Sequence, residues 1–113
     1  MTHAQARRFA LTLPETTEEP HFEFSSFRIR GKIFATIPPD RRHLHVFVDE
    51  DETKASVAED PAAFEELWWG KRLVGVRVTL SKADASSVRE LLEDSYRRRA
   101  PKKLIAELEA RQS

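Results

Sequence analysis

The stretch from Leu73 to Lys103 constrains the fold most, because a strand pattern in it runs directly into a helix pattern. Apolar residues alternate with other side chains over residues 73–80, which is the period of a strand with one buried face. From Ser81 onward the apolar period becomes three to four, which predicts an amphipathic helix. Ser81 is predicted to cap this helix, with Asp84 completing a capping-box-like pair, and Pro101 is predicted to end it.

The first half of the chain predicts one helix and three strands. Residues 3–12 form a short helix that ends before Pro14, and residues 15–20 are predicted to be a loop. Three alternating segments follow, joined by turns at Gly31-Lys32 and at Pro38-Pro39-Asp40, so we expect an antiparallel meander. A change of parity across Ser25-Ser26 predicts a β-bulge there.

The second half adds a helical insert before the strand at residues 73–80. A helix is predicted over residues 51–59 and a second, short helix from Pro61, with Phe64, Leu67 and Trp68 as its apolar face. The predicted fold class is therefore α+β, an antiparallel sheet of four to five strands with helices packed on one face, in the order α-β-β-β-α-β-α. We expect one domain, residues 1–113, and a last short helix after Pro101 that packs back or dimerises. The predicted buried positions are Phe9, Ile33, Leu44, Val46, Val76, Val78, Leu91 and Leu92.

Composition excludes several classes of protein. The chain has 19 basic and 19 acidic residues and no net charge, which argues against coating nucleic acid by bulk charge. It has no cysteine, which excludes disulfides, a thiol nucleophile and a cysteine zinc site. No apolar run approaches the roughly 20 residues of a membrane span, and the N-terminal residues lack the features of a signal peptide. We therefore expect a cytoplasmic protein without a membrane partner.

No catalytic, metal or cofactor motif stands out. The chain lacks a G-x-S-x-G elbow, and its three isolated glycines form no nucleotide-binding fingerprint. His43 and His45 lie two residues apart on one strand, and His21 can approach them across the sheet, so a zinc or nickel site remains an alternative to a polar sheet face. The acidic run at residues 49–52 lacks the glycine and distal glutamate of an EF-hand. We expect no catalytic residues, no bound metal, no cofactor and no enzyme activity.

Two segments resemble the MmcQ/YjbR family of small bacterial proteins. They are Gly31-Lys32-Ile33-Phe34-Ala35 and Ser95-Tyr96 followed by Ala100-Pro101-Lys102-Lys103, within a resemblance that covers nearly the whole chain. The resemblance implies a compact α+β fold similar to secretion chaperones. Members of the family are commonly labelled DNA-binding, on the strength of fold similarity, and no catalytic residues or cofactor are established for it.

Basic residues interleaved with aromatic ones make DNA the first candidate partner. Guanidinium and ammonium groups can neutralise phosphates, and an exposed tryptophan can stack on an unpaired base, whereas Trp68 is expected in the core. The alternative is a small protein-interaction adaptor or chaperone-like module that docks a partner through the acidic insert, a sheet edge or the last helix. The sequence leaves the oligomeric state open. The candidate nucleic-acid contacts are Arg28, Arg30, Lys32, Arg41, Arg42, Trp69, Lys71, Arg72, Arg97, Arg98, Lys102 and Lys103.

Overall fold

A computed structural model describes all residues 1–113, which form four helices and six strands. No helix is both long and apolar enough to cross a membrane. In chain order the elements are α1 His3–Thr12, β1 Thr16–His21, β2 Phe24–Ile29, β3 Lys32–Ile37, β4 His43–Val46, α2 Glu50–Glu59, β5 Phe64–Trp69, β6 Arg72–Thr79, α3 Ala85–Arg99 and α4 Lys102–Gln112.

The six strands form one antiparallel sheet in the order β1-β2-β3-β4-β6-β5. This confirms the predicted α+β class and the meander of β2, β3 and β4, although the sheet has six strands where four to five were expected. The two additional strands are β1 and β5, which lie at the two edges. The β2–β3 turn is made by Arg30 and Gly31, both with positive φ (52° and 79°), as a tight hairpin turn requires.

The hydrophobic core lies between the helices and one face of the sheet. Val76 and Val78 of β6 are fully buried in it, so the predicted register of that strand is confirmed. Leu104 and Leu108 of α4 join the same core, so the last helix packs back onto the domain. Of the predicted core, only Phe9 and Ile33 are partly exposed rather than buried.

The segment predicted as a loop, residues 15–20, is instead edge strand β1, Thr16–His21. All six of its residues pair with β2, and none of the six is buried. An edge strand that faces solvent needs no apolar alternation, and so its sequence resembles that of a loop. Tyr96 of α3 holds the preceding turn, because its hydroxyl donates to the carbonyl oxygen of Pro14 at 2.8 Å.

The short helix predicted from Pro61 is instead strand β5, Phe64–Trp69, which forms a hairpin with β6. Phe64 and Leu67 are buried as expected, but Trp68 is 49% exposed and is not a core residue. Apolar residues at positions i, i+3 and i+4 imitate a helical stripe here. The imitation arises because Phe64 and Leu67, three residues apart, lie on opposite faces of the strand and are both buried.

Two further local predictions differ from the structure. Helix α3 begins at Ala85, and its N-cap is Asp84, whose carboxylate accepts from the Ser87 N–H at 3.2 Å, rather than Ser81. The bulge expected at Ser25-Ser26 lies instead between Phe27 and Arg28, opposite β3. Because the pairing of β3 with β2 skips Phe34, two successive residues of β3 point towards the helices. The bulge therefore also changes which β3 residues lie on the face away from the helices.

Candidate functional site: the open face of the sheet

The face of the sheet away from the helices carries a polar row that crosses five adjacent strands. Its members are aligned by strand pairing: Ser26 of β2 lies opposite Thr36 of β3, and Thr36 opposite His45 of β4. The row continues to Arg77 of β6 and ends at Glu65 of β5. Ser26, Thr36 and His45 are nevertheless buried. A buried polar row on a face without helices indicates that this face is concave and sheltered.

This face forms a cleft of about 600 Å³. Aromatic rings make its walls: Phe24 lies beside His45, with ring centroids 5.9 Å apart, and Phe47 meets Trp69 edge to face at 5.3 Å. Strict alternation from Val76 and Val78 would place Val74 on the core side of β6, but Val74 lines the cleft, because the pairing with β5 skips it. Clefts of about 300–1,000 Å³ with apolar walls and a few polar groups are typical of ligand sites.

His45 is the most unusual side chain of the cleft. It is buried, with 8% of its surface exposed, and its Nε2 atom has no hydrogen-bond partner in the protein. Burial, together with the positive charge of Arg77, lowers the pKa of His45 to about 4. The imidazole is therefore neutral at physiological pH, and it offers both a donor and an acceptor nitrogen.

The rim of the cleft is basic where α3 ends and β6 begins. Arg72, Arg98 and Arg99 line it, and the Arg99 Nε donates to the carbonyl oxygen of Ile33 at 3.4 Å. None of these three arginines makes an ion pair within 4.0 Å. Asp49 and Glu50 lie on the same rim, but both carboxylates have local partners: Asp49 caps α2 through the Glu52 N–H at 2.8 Å, and Glu50 pairs with Lys54 at 3.1 Å.

The structure divides the eleven cations among the twelve predicted contact residues into paired and unpaired groups. Arg28 pairs with Glu19 at 3.7 Å, Arg30 with Glu15 at 3.0 Å, and Arg97 approaches Glu109 at 4.0 Å. These three arginines are less available to a polyanion than an unpaired side chain. The cations without an ion pair are Lys32, Arg41, Arg42, Lys71, Arg72, Arg98, Lys102 and Lys103.

The unpaired cations lie mainly at one end of the sheet. The contact between Arg99 and Ile33 places the end of α3 beside the start of β3, where Lys32 lies. Arg72 lines the same cleft as Arg98, so the β5–β6 turn lies at this end too. Arg41 and Arg42 follow the other end of β3, whose six residues span roughly 20 Å, and the structure does not bring them to the rim.

Phe22 belongs to the cleft, but no sequence pattern marked it as part of a site. It lies in the turn between β1 and β2, is 91% exposed, and has a positive φ of 58°. A bulky residue rarely adopts this backbone conformation, and an exposed phenylalanine gains nothing from the core. The exposed ring and the strained backbone of Phe22 become apparent only when β1 and β2 are known to form a hairpin.

The histidines do not assemble a metal site. His43 has its Nδ1 2.7 Å from the Asp40 Oδ2, and Arg77 lies 3.3 Å from the same nitrogen. Hydrogen bonds to the Arg42 N–H and to His43 keep the pKa of Asp40 below its ordinary value despite partial desolvation. No group of three or more His, Cys, Asp or Glu side chains could hold a metal ion. His43 therefore belongs to a hydrogen-bonded network with Asp40 and Arg77 at the start of β4.

The fold and the cleft define a class of protein: an α+β domain whose antiparallel sheet is covered by helices on one face and open on the other. The chain belongs to the YjbR family, whose family model matches residues 11–98. The crystal structure of Deinococcus radiodurans protein DR2400, with the family-model domain DUF419, has the same fold. It superposes with a TM-score of 0.73 at 23% identity, covering 84% of this chain and 75% of that one. No curated protein matches the chain.

Proposed function

We propose that this YjbR-family protein binds DNA, with a preference for single strands, at the basic end of its open sheet face. The observation that carries the proposal is that Arg72 and Arg98, both without ion pairs, line the same cleft as the exposed ring of Trp69. The proposal assigns the protein a binding role in the cytoplasm and no catalytic activity.

The chemistry of the rim suits a nucleic-acid strand better than a duplex. Unpaired guanidinium groups release counterions when they neutralise phosphates, which supplies affinity without a high net charge. Trp69 is 59% exposed, so one side of its ring is available for stacking on a base, and stacking requires a base that is not already paired in a helix. No helix projects from the open face to enter a major groove, since all four helices contribute to the opposite face.

Fluorescence anisotropy with labelled single-stranded and duplex DNA, at two salt concentrations, tests the proposal. We expect tighter binding to the single strand. The double variant Arg72→Ala/Arg98→Ala should lower the salt slope by about 1.4, because each phosphate that the protein no longer neutralises lowers it by about 0.7. The matched control is Arg8→Ala/Arg89→Ala, which removes two exposed arginines on the helical side with the same change of charge. No binding at low salt, or equal effects of both double variants, would refute the proposal.

A protein-binding adaptor is the second candidate, and edge strand β5 favours it. The strand pairs only with β6, so its outer edge is free to pair with an added strand, and Trp68 on it is 49% exposed. If the protein fails to bind DNA, we expect Trp68→Lys to reduce binding of a protein partner, whereas a DNA-binding protein should tolerate this change.

A further inference from the structure

We propose that the open-face cleft is a binding site for one nucleoside monophosphate unit, with the base in the cleft and the phosphate at the arginine rim. The unit is either a free mononucleotide or one unpaired nucleotide of a single strand. In the second case the inference rests on the proposed function, and in the first case it is independent of it.

The walls of the cleft suit a flat aromatic ring. Trp69 and Phe47 form one wall and Phe24, beside His45, contributes to the other, while Phe22 lies exposed at the mouth. Rings at these positions can stack on or meet the edge of a planar base. A sugar phosphate without a base would leave this aromatic surface uncovered, and so the site favours a ligand that carries a ring.

The floor of the cleft suits a ring with neutral polar edges. His45 is neutral, and its Nε2 has no partner in the protein, while Thr36 beside it supplies a hydroxyl group. A buried polar atom without a partner is a rare feature that a ligand or an ordered water is expected to satisfy. The edges of nucleobases carry uncharged donors and acceptors, whereas a purely apolar ligand would leave the nitrogen of His45 unsatisfied.

The rim suits a phosphate. Arg72 and Arg98 have no ion pair, and a guanidinium group binds phosphate oxygens in a bidentate manner. The nearby carboxylates of Asp49 and Glu50 are held by the α2 N-terminus and by Lys54, so they do not neutralise the arginines directly. The volume of about 600 Å³ lies within the range of small-molecule sites and is too confined for a stacked duplex.

Isothermal titration of the full chain with dAMP, dCMP, dGMP and dTMP tests the inference, with ribose 5-phosphate as the ligand without a base. We expect at least one mononucleotide to bind with a sub-millimolar Kd and ribose 5-phosphate to bind at least tenfold more weakly. Trp69→Ala and His45→Gln should each weaken mononucleotide binding about tenfold. Trp68→Ala is the matched control, because Trp68 is the neighbouring exposed tryptophan but does not line the cleft.

A parallel titration with an unlabelled oligonucleotide separates this inference from the proposed function. If mononucleotides bind and the oligonucleotide does not, the inference stands with a free nucleotide as the ligand, and the proposed function fails. If the oligonucleotide binds the wild type and His45→Gln equally, and no mononucleotide binds, the proposed function stands and the inference is overturned. If neither ligand binds, or if Trp68→Ala weakens binding as much as Trp69→Ala, the inference is also overturned.

Discussion

The hydroxyl of Ser95 lies 2.5 Å from the carbonyl oxygen of Phe34, across the interface between α3 and the sheet. The same hydroxyl lies 2.8 Å from the carbonyl oxygen of Phe47, and the Phe34 oxygen also accepts from the Phe47 N–H at 3.1 Å. Ser95 is fully buried. One side chain of α3 therefore fixes both the bulge of β3 and the backbone of an aromatic residue in the cleft wall.

Replacement of Ser95 by alanine should destabilise the protein by about 1–3 kcal/mol, because buried carbonyl oxygens lose a donor. We expect a lower denaturant midpoint with an unchanged slope. Ser81→Ala is the control, since Ser81 is exposed and does not cap α3, and its free energy of unfolding should stay within about 0.5 kcal/mol of the wild type. Equal stabilities of the two variants would contradict the role given to Ser95.

Gly75 allows the backbones of β6 and β4 to approach closely. A Cβ atom at this position would lie 2.0 Å from the carbonyl oxygen of Val46, which is backbone and cannot rotate away. Gly75→Ala should therefore cost about 1–3 kcal/mol or more, as overpacking does in a core.

Gly70→Ala separates crowding from strain. Gly70 has a positive φ of 59°, but a Cβ there would meet no atom within 4 Å, so only backbone strain of about 1–2 kcal/mol is expected. Thermal unfolding of both variants should place the Gly75→Ala midpoint below that of Gly70→Ala. The reverse order would contradict the close approach of the two strands.

His45 should make the protein less stable in mild acid. The pKa of its imidazole is lowered from 6.5 to about 4 in the folded state. Between these two pH values the unfolded chain therefore binds a proton that the folded chain does not bind. The contribution of His45 to the free energy of unfolding is therefore complete above pH 6.5 and is lost as the pH falls from about 6.5 to about 4. We expect a loss of about 2 kcal/mol, because solvent in the open cleft reduces the effect. Urea unfolding of His45→Gln should show a smaller loss over this range. If the free energies of unfolding of the wild type and His45→Gln fall in parallel over this pH range, His45 is not the titrating group.

Glu52 should have the opposite effect on the alkaline side. Desolvation, a hydrogen bond to Asp94 and the charge of that carboxylate raise the pKa of Glu52 from 4.5 to about 8. The folded state holds the proton more tightly, so its stabilising effect is complete below pH 4.5 and is lost as the pH rises through about 8. Because Glu52 is partly exposed, we expect about 1 kcal/mol.

The variant Glu52→Gln keeps a neutral side chain between α2 and α3 at every pH. Compared with the wild type, it should become relatively more stable as the pH rises from 5 to 9, measured by urea unfolding at both values. Glu59→Gln, which removes an exposed carboxylate from the end of the same helix, should leave the difference between pH 5 and pH 9 unchanged. If the stability of the wild type does not fall relative to that of Glu52→Gln between pH 5 and pH 9, the proposed interaction between the carboxyl groups of Glu52 and Asp94 is contradicted.

Period and length were enough to predict the central strands and α3. Val76, Val78, Leu91 and Leu92 lie in the core as expected, because a half-buried strand and a long amphipathic helix have patterns that few alternatives share. The edge strands escaped prediction for two different reasons. Strand β1 has no buried face to impose a period, and β5 buries Phe64 and Leu67 on its two opposite faces, at a spacing of three that is typical of a helix.

The candidate site was predicted only in part. Trp69, Arg72 and Arg98 were expected as contacts and lie on one rim, because exposed aromatic and basic residues are visible in a sequence. His45 was expected on a polar sheet face, but its place beside Thr36 in a buried polar row was not, since residues 36 and 45 become neighbours only through the register of β3 and β4. Pairing across strands is set by bulges and turns, which single residues do not reveal.

Strand β1 also governs how this molecule behaves among copies of itself. An unpaired strand edge is a template on which another chain can add, and long apolar edges are where aggregation starts. The sequence TTEEPH places a proline along this edge, so a second copy would meet a missing N–H. The segment that looks like a loop in sequence should therefore keep this edge of the sheet from pairing with a second copy of the protein.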